Sequence, residues 1–359
     1  MSRRRHAANP ALRRRGAILT RLSNQVTPNP FSVTVVIVCF NSADYLPRCL
    51  QALEAQTYRE FEVILVDNAS TDGSTDGVED KHPSLHLRVE RLNHNTGFAA
   101  ANNLAARGAA GEWLALLNPD AFAEPDWLQQ LLQAASEYPG SFFASRQIQA
   151  NHPQLLDGDG DIYFTSGLAQ RRSYNVPHYA PGPAREVFSA CAAAALYPLR
   201  QFLEAGGFDE DYFAYQEDVD LGFRLRLRGL RCYLVPTAIV YHVGAGSSGP
   251  NSSFATYHGH RNLVWTYFKN MPVPWLWFYL PLHLVWTLIS IIYLALRGQG
   301  LVVLHAKLDA ARGLPSALRK RTSVQGARRT DFREVLRTMN TNPLGPLEGI
   351  IDRTWPDRH

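Results

Sequence analysis

Short apolar runs alternate with amphipathic segments along the first third of the chain. The run 33–40 (VTVVIVCF) is unbroken and rich in β-branched residues, which is typical of a strand buried on both faces. Three later runs have the same character, and the segments between them carry apolar residues at helical spacing. The predicted strands are 33–40, 61–66, 85–90 and 113–117, and the predicted helices begin near residues 43, 97 and 125. This alternation predicts an α/β fold with a mostly parallel sheet flanked by helices.

Polar residues stand at or just after the ends of the predicted strands. Asn41, Asp67 and Asp120 occupy such positions, and Ser42 is placed to cap the first helix. The carboxyl ends of parallel strands meet at one edge of the sheet, where open α/β proteins bind their ligands. We therefore expect these side chains to line a ligand pocket. The alternative is that Asp67 and Asp120 only cap strand ends.

The segment 205–229 concentrates acidic residues ahead of an amphipathic run. Glu217 and Asp218 stand just before apolar residues at helical spacing, and Gly229 is suited to a helix C-terminus. The positive end of a helix dipole favours an ionised carboxylate, so a general base is expected at this helix start. The alternative is an acidic first turn that only caps the helix.

One long apolar segment, 275–296, lies in the C-terminal third. Its 22 residues carry no formal charge and include three tryptophans and two tyrosines, so it is long enough for a bilayer span with interfacial aromatic residues. Pro281 and His283 interrupt it, and a single crossing would export a cationic tail against the positive-inside rule. We expect helices that lie in the cytoplasmic membrane interface. A true span and a buried soluble helix are the alternatives.

The composition indicates a globular protein with an uneven charge distribution. Of 359 residues, 46% are hydrophobic and 19% are charged, and the formal net charge is +4. Seven arginines lie within residues 1–21, and ten lysines or arginines lie within residues 297–337. Because the second block follows the apolar segment, an anionic membrane surface is favoured over nucleic acid as a partner. The four cysteines lack the spacing of a metal site, which fits a reducing compartment.

These patterns divide the chain into four predicted parts. Residues 1–30 form a basic disordered arm, residues 31–265 form the α/β domain, residues 266–340 form an apolar and basic membrane-associating helical region, and residues 341–359 form a tail. Within the α/β domain, the run 157–161 (DGDGD) is similar to a metal-binding loop. It lacks the spacing and the terminal glutamate of a calcium loop, so a turn is favoured.

A strand-end carboxylate together with an imidazole suits a divalent cation that is partly coordinated by substrate. Asp120 and His242 provide these groups, and diphosphate oxygens would complete the coordination of Mg²⁺ or Mn²⁺. Such a cation stabilises a departing nucleoside diphosphate, while a separate carboxylate deprotonates an acceptor hydroxyl. The predicted outcome is displacement with inversion at the anomeric carbon. A lone histidine is more often structural, so His242 is a candidate ligand only because it occurs together with these acidic residues.

Six blocks occur in order between residues 33 and 250. They are VTVVIVCFNSADYLPRCLQAL (33–53), VILVDNASTDGS (63–74), NTGFAAANN (95–103), LLNPDA (116–121), GGFDEDYFAYQEDVDLGFRLRLRG (206–229) and YHVGAGSS (241–248). As a set they resemble the family 2 glycosyltransferases of the GT-A fold, and especially bacterial rhamnosyltransferase-like members. The resemblance implies a Rossmann-like GT-A sheet and a nucleotide-sugar donor.

The resemblance also implies a nucleotide-binding role for residues in the first three blocks. The implied nucleotide-site residues are Asn41, Asp67, Asn95, Gly97, Phe98 and Asn102. Of these, Asp67 would contact the base. For Asn102, the alternative is that it only covers a helix surface.

The remaining implied residues belong to the diphosphate and catalytic sites. Asp120 would hold the metal–diphosphate with His242 as a further ligand, and Asp218 would be the general base with Glu217 beside it. Glu217 as the base is the alternative. Many relatives carry DxD where this chain has Asn-Pro-Asp, which leaves the metal dependence open, although rhamnosyltransferase-like members share the Asn-Pro-Asp sequence.

The resemblance implies an inverting glycosyltransferase that moves L-rhamnose from dTDP-rhamnose. Its acceptor would be a lipid-linked or growing cell-envelope saccharide at the cytoplasmic face of the membrane. The alternatives are a transferase with a UDP-hexose donor and a catalytically inactive membrane-associated scaffold. A processive synthase is disfavoured because the chain has no QxxRW motif and at most one apolar segment of spanning length.

Overall fold

The computed structural model describes residues 31–244 and 252–347. The predicted basic arm (1–30), residues 245–251 after His242 and the end of the predicted tail lie outside the described residues. The strands are β1 (Val33–Cys39), β2 (Phe61–Asp67), β3 (Leu87–Arg91), β4 (Trp113–Leu117), β5 (Ala121–Ala123), β6 (Ser141–Gln149), β7 (His152–Gly158), β8 (Asp161–Tyr163), β9 (Ala169–Arg171), β10 (Arg185–Glu186), β11 (Ala194–Pro198) and β12 (Arg231–His242). The α-helices are α1 (Leu46–Glu54), α2 (Val78–Lys81), α3 (Gly97–Gly108), α4 (Trp127–Glu137), α5 (Leu199–Glu204), α6 (Glu217–Leu227), α7 (Ser253–Asn270), α8 (Trp275–Leu296), α9 (Gly300–Gly326) and α10 (Phe332–Leu336).

One large sheet organises the chain, in the order β10-β12-β6-β11-β4-β1-β2-β3. Strand β1 is parallel to β2 and β4, β2 is parallel to β3, and β12 is parallel to β6. Strand β11 runs antiparallel between β4 and β6, and β5 and β7 add antiparallel pairs at β12 and β6. Strands β8 and β9 form a separate hairpin-like pair. A mostly parallel sheet flanked by helices confirms the predicted fold class.

The two faces of the sheet are covered by different helices. Odd-numbered residues of β1, such as Val35 and Ile37, pack in one buried cluster with α1 and α4. Val36 faces the other cluster, which contains residues of α3 and α6. Burial on both faces explains why β1 and β2 are continuous apolar runs in the sequence.

The start of α1 corrects one expectation from the sequence. Ser42 does not cap this helix, which begins at Leu46 with Tyr45 at the N-cap position. The Ser42 hydroxyl instead donates to the Phe40 carbonyl at 3.3 Å, and the Ser42 carbonyl accepts from the N–H groups of Tyr45 and Leu46. A turn therefore separates the strand end from the helix and leaves Asn41 and Ser42 at the sheet edge.

The C-terminal helices pack on the α/β part of the chain. Helix α7 runs unbroken through the predicted boundary at residue 265 and packs along α9. Helix α8 coincides with the predicted apolar segment, and among the described residues it alone is long and apolar enough to cross a membrane. His283 Nδ1 lies 2.8 Å from the Ser166 carbonyl, and Trp286 Nε1 donates to the Pro343 carbonyl at 2.9 Å. One face of α8 is therefore attached to the body of the protein.

Candidate active site

A cleft of about 720 Å³ opens where β1, β2 and β4 end. Asn41 follows β1, Asn68 follows β2 and Asp120 follows β4, and all three line the cleft. The opposite wall is formed by the turn 213–216 and by Glu217 and Asp218 at the start of α6. The strand ends and the acidic helix start that the sequence singled out thus share one cavity.

Asparagine side chains build the part of the cleft near α3. The Asn68 amide donates to Asn95 Oδ1 at 3.0 Å, and Asn68 Oδ1 accepts from the Thr96 backbone N–H at 2.8 Å. Asn95, Gly97 and Phe98 line the cleft, as predicted. Asn68 does so as well, although it was not among the residues predicted from the sequence. These contacts fix the start of α3 against the end of β2.

Asp67 and Asn102 are not among the residues that line the cleft. The Asp67 carboxylate accepts from the Ser70 N–H at 2.8 Å and from the Thr75 hydroxyl at 2.6 Å, so it shapes the loop after β2. Asn102 is buried and donates to the Phe98 carbonyl one turn earlier in α3 at 2.9 Å. In this geometry both side chains support the cleft from behind. Direct nucleotide contact by either residue stays a prediction.

His242 links two carboxylates at the far end of the cleft. Its Nδ1 lies 2.8 Å from Asp157 Oδ2, and its Nε2 lies 3.4 Å from Asp120 Oδ1. The β12–β5 pairing sets His242 opposite Ala121, which explains why it lies beside Asp120. Asp157 also pairs with Arg171, a cleft residue on β9. The run 157–161 contains the turn that joins β7 to β8, as favoured from the sequence, and Asp157 at its start supplies an acid to the site.

The pKa values of His242 and Asp157 follow from their burial and from the charged groups beside them. Burial lowers the pKa of His242, but hydrogen bonds and charge from Asp120 and Asp157 outweigh it and raise the pKa to about 9. Burial raises the pKa of Asp157, but the charges of Arg171 and His242 bring it down to about 2. The two carboxylates therefore favour the protonated form of this buried imidazole.

Asp218 and Glu217 begin α6, as predicted, with Gly229 in a left-handed conformation just past its end. Asp218 Oδ2 accepts from the Ala192 N–H at 3.1 Å, and Oδ1 accepts from the Val219 N–H at 2.8 Å. Glu217 is buried, and its Oε2 finds no hydrogen-bond partner among the described residues. Asp218 is thus oriented by two backbone donors, whereas Glu217 is not.

The pKa values of these two carboxylates are higher than their position at a helix start predicted. Burial raises the pKa of Asp218, although the N–H groups of Ala192 and Val219 and the charge of Arg171 oppose the rise. Burial and the neighbouring Asp218 raise the pKa of Glu217 well above its usual range. Desolvation outweighs the helix dipole here, since both groups lie in a largely closed wall. A raised pKa suits a base that must bind a proton during the reaction.

Comparison with known proteins agrees with this geometry. The family model "Glycosyl transferase family 2" matches residues 34–184. An N-acetylglucosaminyl-diphospho-decaprenol L-rhamnosyltransferase of Mycobacterium tuberculosis is 32% identical over 254 residues, which cover 62% of this chain and 80% of that protein. The chain belongs to glycosyl transferase family 2. It is therefore a glycosyltransferase, and the resemblance found in the sequence is confirmed.

Other proteins that are similar to this glycosyltransferase include a polysaccharide biosynthesis protein and two transferases of known structure. The succinoglycan biosynthesis protein ExoO of Rhizobium meliloti is 28% identical over 224 residues, covering 60% of this chain and 62% of that protein. Among solved structures, GalNAc-T7 with UDP, GalNAc and Mn²⁺ has a TM-score of 0.54 at 17% identity, covering 67% of this chain and 48% of that chain. The mannosyltransferase PcManGT from Pyrobaculum calidifontis, in complex with GDP-Man and Mn²⁺, has a TM-score of 0.51 at 18% identity, covering 92% and 86%. The structural likenesses support the GT-A fold.

The glycosyltransferase offers two side chains to a divalent cation. No group of three or more His, Cys, Asp or Glu side chains forms a metal cage within the described residues. However, His242 Nε2 is buried and lies 3.4 Å from Asp120 Oδ1, so a ring nitrogen and a carboxylate oxygen face each other. Asp157 behind the ring is the kind of carboxylate that orients a metal-binding imidazole. The residues present therefore fit a cation that takes its remaining ligands from a diphosphate.

Several residues at the candidate site were not predicted from the sequence. Asp157 and Arg171 lie far from the recognised blocks, and only the acidic run 157–161 hinted at the first of them. Tyr215 and Phe254 line the cleft from the turn 213–216 and from α7. Their position depends on how the C-terminal helices fold back, which no local pattern reveals.

Proposed function

We propose that this glycosyltransferase moves L-rhamnose from dTDP-rhamnose to a lipid-linked or growing cell-envelope saccharide, with inversion at the anomeric carbon. The observation that carries the proposal is the shared cleft, with Asp120 and His242 on one wall and Asp218 on the other. The mycobacterial relative supports the sugar and the class of acceptor, since its name describes an L-rhamnosyltransferase that acts on an N-acetylglucosaminyl-diphospho-decaprenol.

The donor would occupy the cleft between the strand ends and α3. The nucleotide would be held by Asn41, Asn95, Gly97 and Phe98 directly, with Asp67 and Asn102 fixing the adjoining loop and helix. The diphosphate would then extend toward Asp120 and His242. Backbone and amide groups, rather than a glycine-rich phosphate loop, would bind it.

A divalent cation, Mg²⁺ or Mn²⁺, would be held by Asp120 and His242 and would supply charge stabilisation for the diphosphate leaving group. Two similar structures, those of GalNAc-T7 and PcManGT, contain Mn²⁺, which supports this choice. His242 must lose its Nε2 proton to act as a ligand, so binding of the cation would release a proton from this site. Asp157 would keep the ring turned so that Nε2 faces the diphosphate.

Asp218 would act as the general base. Its carboxylate takes the proton from an acceptor hydroxyl while that oxygen forms a bond to the anomeric carbon. The bond between the anomeric carbon and the diphosphate oxygen breaks, and the electron pair leaves with the nucleoside diphosphate. The two backbone donors at Ala192 and Val219 hold Asp218 in place for this transfer. Burial and the neighbouring Asp218 raise the pKa of Glu217 well above its usual range, which favours the neutral acid beside the base.

We further propose that residues 31–265 form the catalytic domain and that residues 266–340 associate with the cytoplasmic face of the membrane. Helix α8 exposes large apolar side chains, including Trp277 and Phe278, while His283 and Trp286 bind the body of the protein. A helix held along one side by the protein is suited to lie in the membrane interface. A lipid-linked acceptor would then meet the cleft at the membrane surface.

A donor screen tests the proposal. Purified protein in detergent with Mg²⁺ or Mn²⁺ is titrated with dTDP-rhamnose, UDP-glucose, UDP-galactose and GDP-mannose, and both binding and nucleoside diphosphate release are followed. Wild type is compared with Asp218→Asn and Glu217→Gln. We expect selective turnover of dTDP-rhamnose and a loss of about 10²–10⁴-fold in Asp218→Asn with donor binding retained. Glu217→Gln should lose much less.

The other outcomes each replace one part of the proposal. Selective turnover of a UDP-sugar would overturn the donor but keep the reaction. A larger loss in Glu217→Gln than in Asp218→Asn would move the base to Glu217. Binding without turnover of any donor by wild type would favour a membrane-associated scaffold, the second candidate function.

A further inference from the structure

The chain turns through an unusual backbone conformation just before the proposed base. Phe213, Tyr215 and Gln216 have positive φ angles of 65°, 67° and 69°, although none of them is a glycine. Each such residue costs on the order of 1–3 kcal/mol unless its surroundings impose the conformation. Gln216 is the N-cap residue of α6, so the left-handed turn 213–216 sets where Glu217 and Asp218 begin.

A single buried amide on α7 binds the backbone of this turn. Asn262 Nδ2 donates to the carbonyl oxygens of Tyr212 at 3.0 Å, Ala214 at 2.9 Å and Tyr215 at 2.7 Å. Its Oδ1 accepts from Arg261 Nε at 2.9 Å, which fixes the orientation of the amide. Asn262 is fully buried. Asn262 thus gives the Ala214 and Tyr215 carbonyls a buried donor, while the Tyr212 carbonyl also accepts from Arg261 Nη2 at 2.9 Å.

The same turn is held from the donor side of the cleft. The Phe213 carbonyl accepts from the Ala99 N–H in the first turn of α3 at 3.2 Å. Gly97 lies so close that an added Cβ would stand 2.6 Å from the Phe213 carbonyl oxygen. The turn 213–216 is therefore fixed between the helix that would bind the nucleoside and the helix that leads to the apolar α8.

Other residues of α7 bind the acidic segment on either side of the turn. Thr266 Oγ1 lies 3.0 Å from the Tyr212 hydroxyl, and Asn270 Nδ2 donates to Asp220 Oδ1 at 2.7 Å. Lys269 Nζ lies 2.8 Å from the same Asp220 oxygen. With Asn262, these residues recur at helical spacing and form one face of α7. That face contacts the segment 212–220 along its length, and Asn262 is the member that meets the turn.

We propose that Asn262 is a positioning residue of the transfer reaction, which holds the turn 213–216 in its left-handed conformation and thereby sets Asp218 at the cleft. The inference rests on the proposed role of Asp218 as the base. Loss of the amide removes one donor from each of these three carbonyls and lets the turn relax toward negative φ, although the Tyr212 carbonyl keeps its bonds from Arg261 and from the Ala214 N–H. Because Gln216 is the N-cap of α6, relaxation rotates the first turn of that helix. Asp218 then moves relative to the anomeric carbon, while Asn95 and Gly97 keep their own hydrogen bonds from the Asn68 amide.

The test compares Asn262→Leu with Asn103→Leu. Asn103 is a buried asparagine of α3 that hydrogen-bonds the Phe208 N–H and carbonyl, both at 2.8 Å, so it holds the same acidic segment before the turn. The two substitutions make the same chemical change at matched burial. Asn262→Ser, which keeps a shorter donor, serves as the partial rescue. Steady-state kinetics use the donor that the wild-type enzyme turns over.

For Asn262→Leu we expect kcat to fall by about 10²-fold, because a displacement near 1 Å in a reacting group has this effect. The donor KM should stay within about threefold, since the nucleotide contacts do not involve α7. The pH at which kcat reaches half its maximum should also shift, because Asp218 moves relative to the Ala192 N–H. Asn103→Leu should lower the Tm with a much smaller effect on kcat and none on the pH profile. Asn262→Ser should lie between Asn262→Leu and wild type in kcat.

Hydrogen exchange gives a readout that does not need turnover. In Asn262→Leu the amides of residues 213–220 should exchange faster than in wild type, while Asn103→Leu should leave them unchanged. Faster exchange with kcat unaltered would overturn the positioning role, and equal kcat losses in both leucine variants would reduce Asn262 to a stabilising residue. If wild type turns over no donor, the proposed function fails, and unchanged exchange at 213–220 would overturn the turn-holding role as well.

Discussion

His242 Nδ1 lies 2.8 Å from Asp157 Oδ2, and this contact turns the opposite ring nitrogen toward Asp120. The two acids come from different parts of the fold, Asp120 after β4 and Asp157 at the end of β7. A histidine held in this way has one nitrogen committed to a buried carboxylate and the other available to a ligand. The relationship makes Asp157 part of the proposed diphosphate site although it does not line the cleft itself.

Asp157→Asn should weaken Mn²⁺ binding by about 10–100-fold, because the ring loses its carboxylate partner and its preferred tautomer. Titration of Mn²⁺ followed by electron paramagnetic resonance, with the nucleoside diphosphate present, measures the affinity without turnover. Asp161→Asn is the control, since Asp161 lies four residues later, at the start of β8, and accepts from the Ser189 hydroxyl instead. An equal loss of affinity in both variants would assign the effect to the fold of the 157–161 turn.

The sheet and the strand-end residues were predictable because the information is local. Continuous β-branched runs identify β1 and β2, and Asn41 and Asp120 follow from the rule that ligands meet the carboxyl ends of parallel strands. Asp67 obeys the same rule in sequence but turns its oxygens toward Ser70 and Thr75. Strand position therefore predicts which residues are near the cleft, whereas the hydrogen bonds of the following loop decide which of them face it.

The residues that the sequence missed depend on contacts between distant segments. Asp157 reaches His242 only because β7 folds back on β6, and Asn262 reaches the turn 213–216 only because α7 crosses α6. The raised pKa of Glu217 could not be predicted from the local sequence either, since it depends on burial of the side chain by distant segments. The rule that a helix start favours ionised carboxylates applies to an exposed first turn, whereas the first turn of α6 is largely buried.

Glu217→Gln should stabilise the protein at high pH and not at low pH. Burial raises the pKa of Glu217 in the folded state, so below about pH 4 the side chain is protonated both folded and unfolded, and it carries no penalty. As the pH rises, the unfolded chain ionises first, and the wild-type protein loses stability until the pH passes the folded-state pKa. The glutamine variant does not lose stability in this way, because its side chain does not ionise.

Thermal unfolding of wild type and Glu217→Gln between pH 4 and pH 9 measures the effect. The Tm difference should be near zero at the acid end and grow with pH, by about 2–4 °C for each kcal/mol of relieved penalty. Glu79→Gln, at an exposed position on α2, should give no such trend. A Tm difference that is independent of pH would contradict the assignment of Glu217 as a buried neutral acid.

Gly97→Ala should destabilise the protein. Gly97 has a φ of 84°, and an added Cβ would stand 2.6 Å from the Phe213 ring and carbonyl oxygen. Gly140 has a φ of 73° with nothing within 4 Å of the added carbon, so Gly140→Ala measures the backbone cost alone. We expect Gly140→Ala to cost about 1 kcal/mol in the free energy of unfolding and Gly97→Ala to cost at least 1–3 kcal/mol more. Equal costs, measured by urea unfolding, would mean that the turn 213–216 yields readily at Phe213.

The exposed face of α8 gives a prediction about the membrane. Leu284 and Leu288 are 56% and 58% exposed, on the side of the helix away from His283 and Trp286. Changing both to glutamate should reduce binding to anionic vesicles by about 10²-fold or more, because each buried leucine contributes roughly 1.5–3 kcal/mol and a charge must be kept out of the lipid. Vesicle flotation measures the binding, and Leu203→Glu, at an exposed leucine on α5, is the control. An interfacial helix also predicts release of the wild-type protein by alkaline carbonate, whereas a true span would stay in the vesicles after that treatment. Flotation that is equal in wild type and the double variant would place the membrane contact elsewhere.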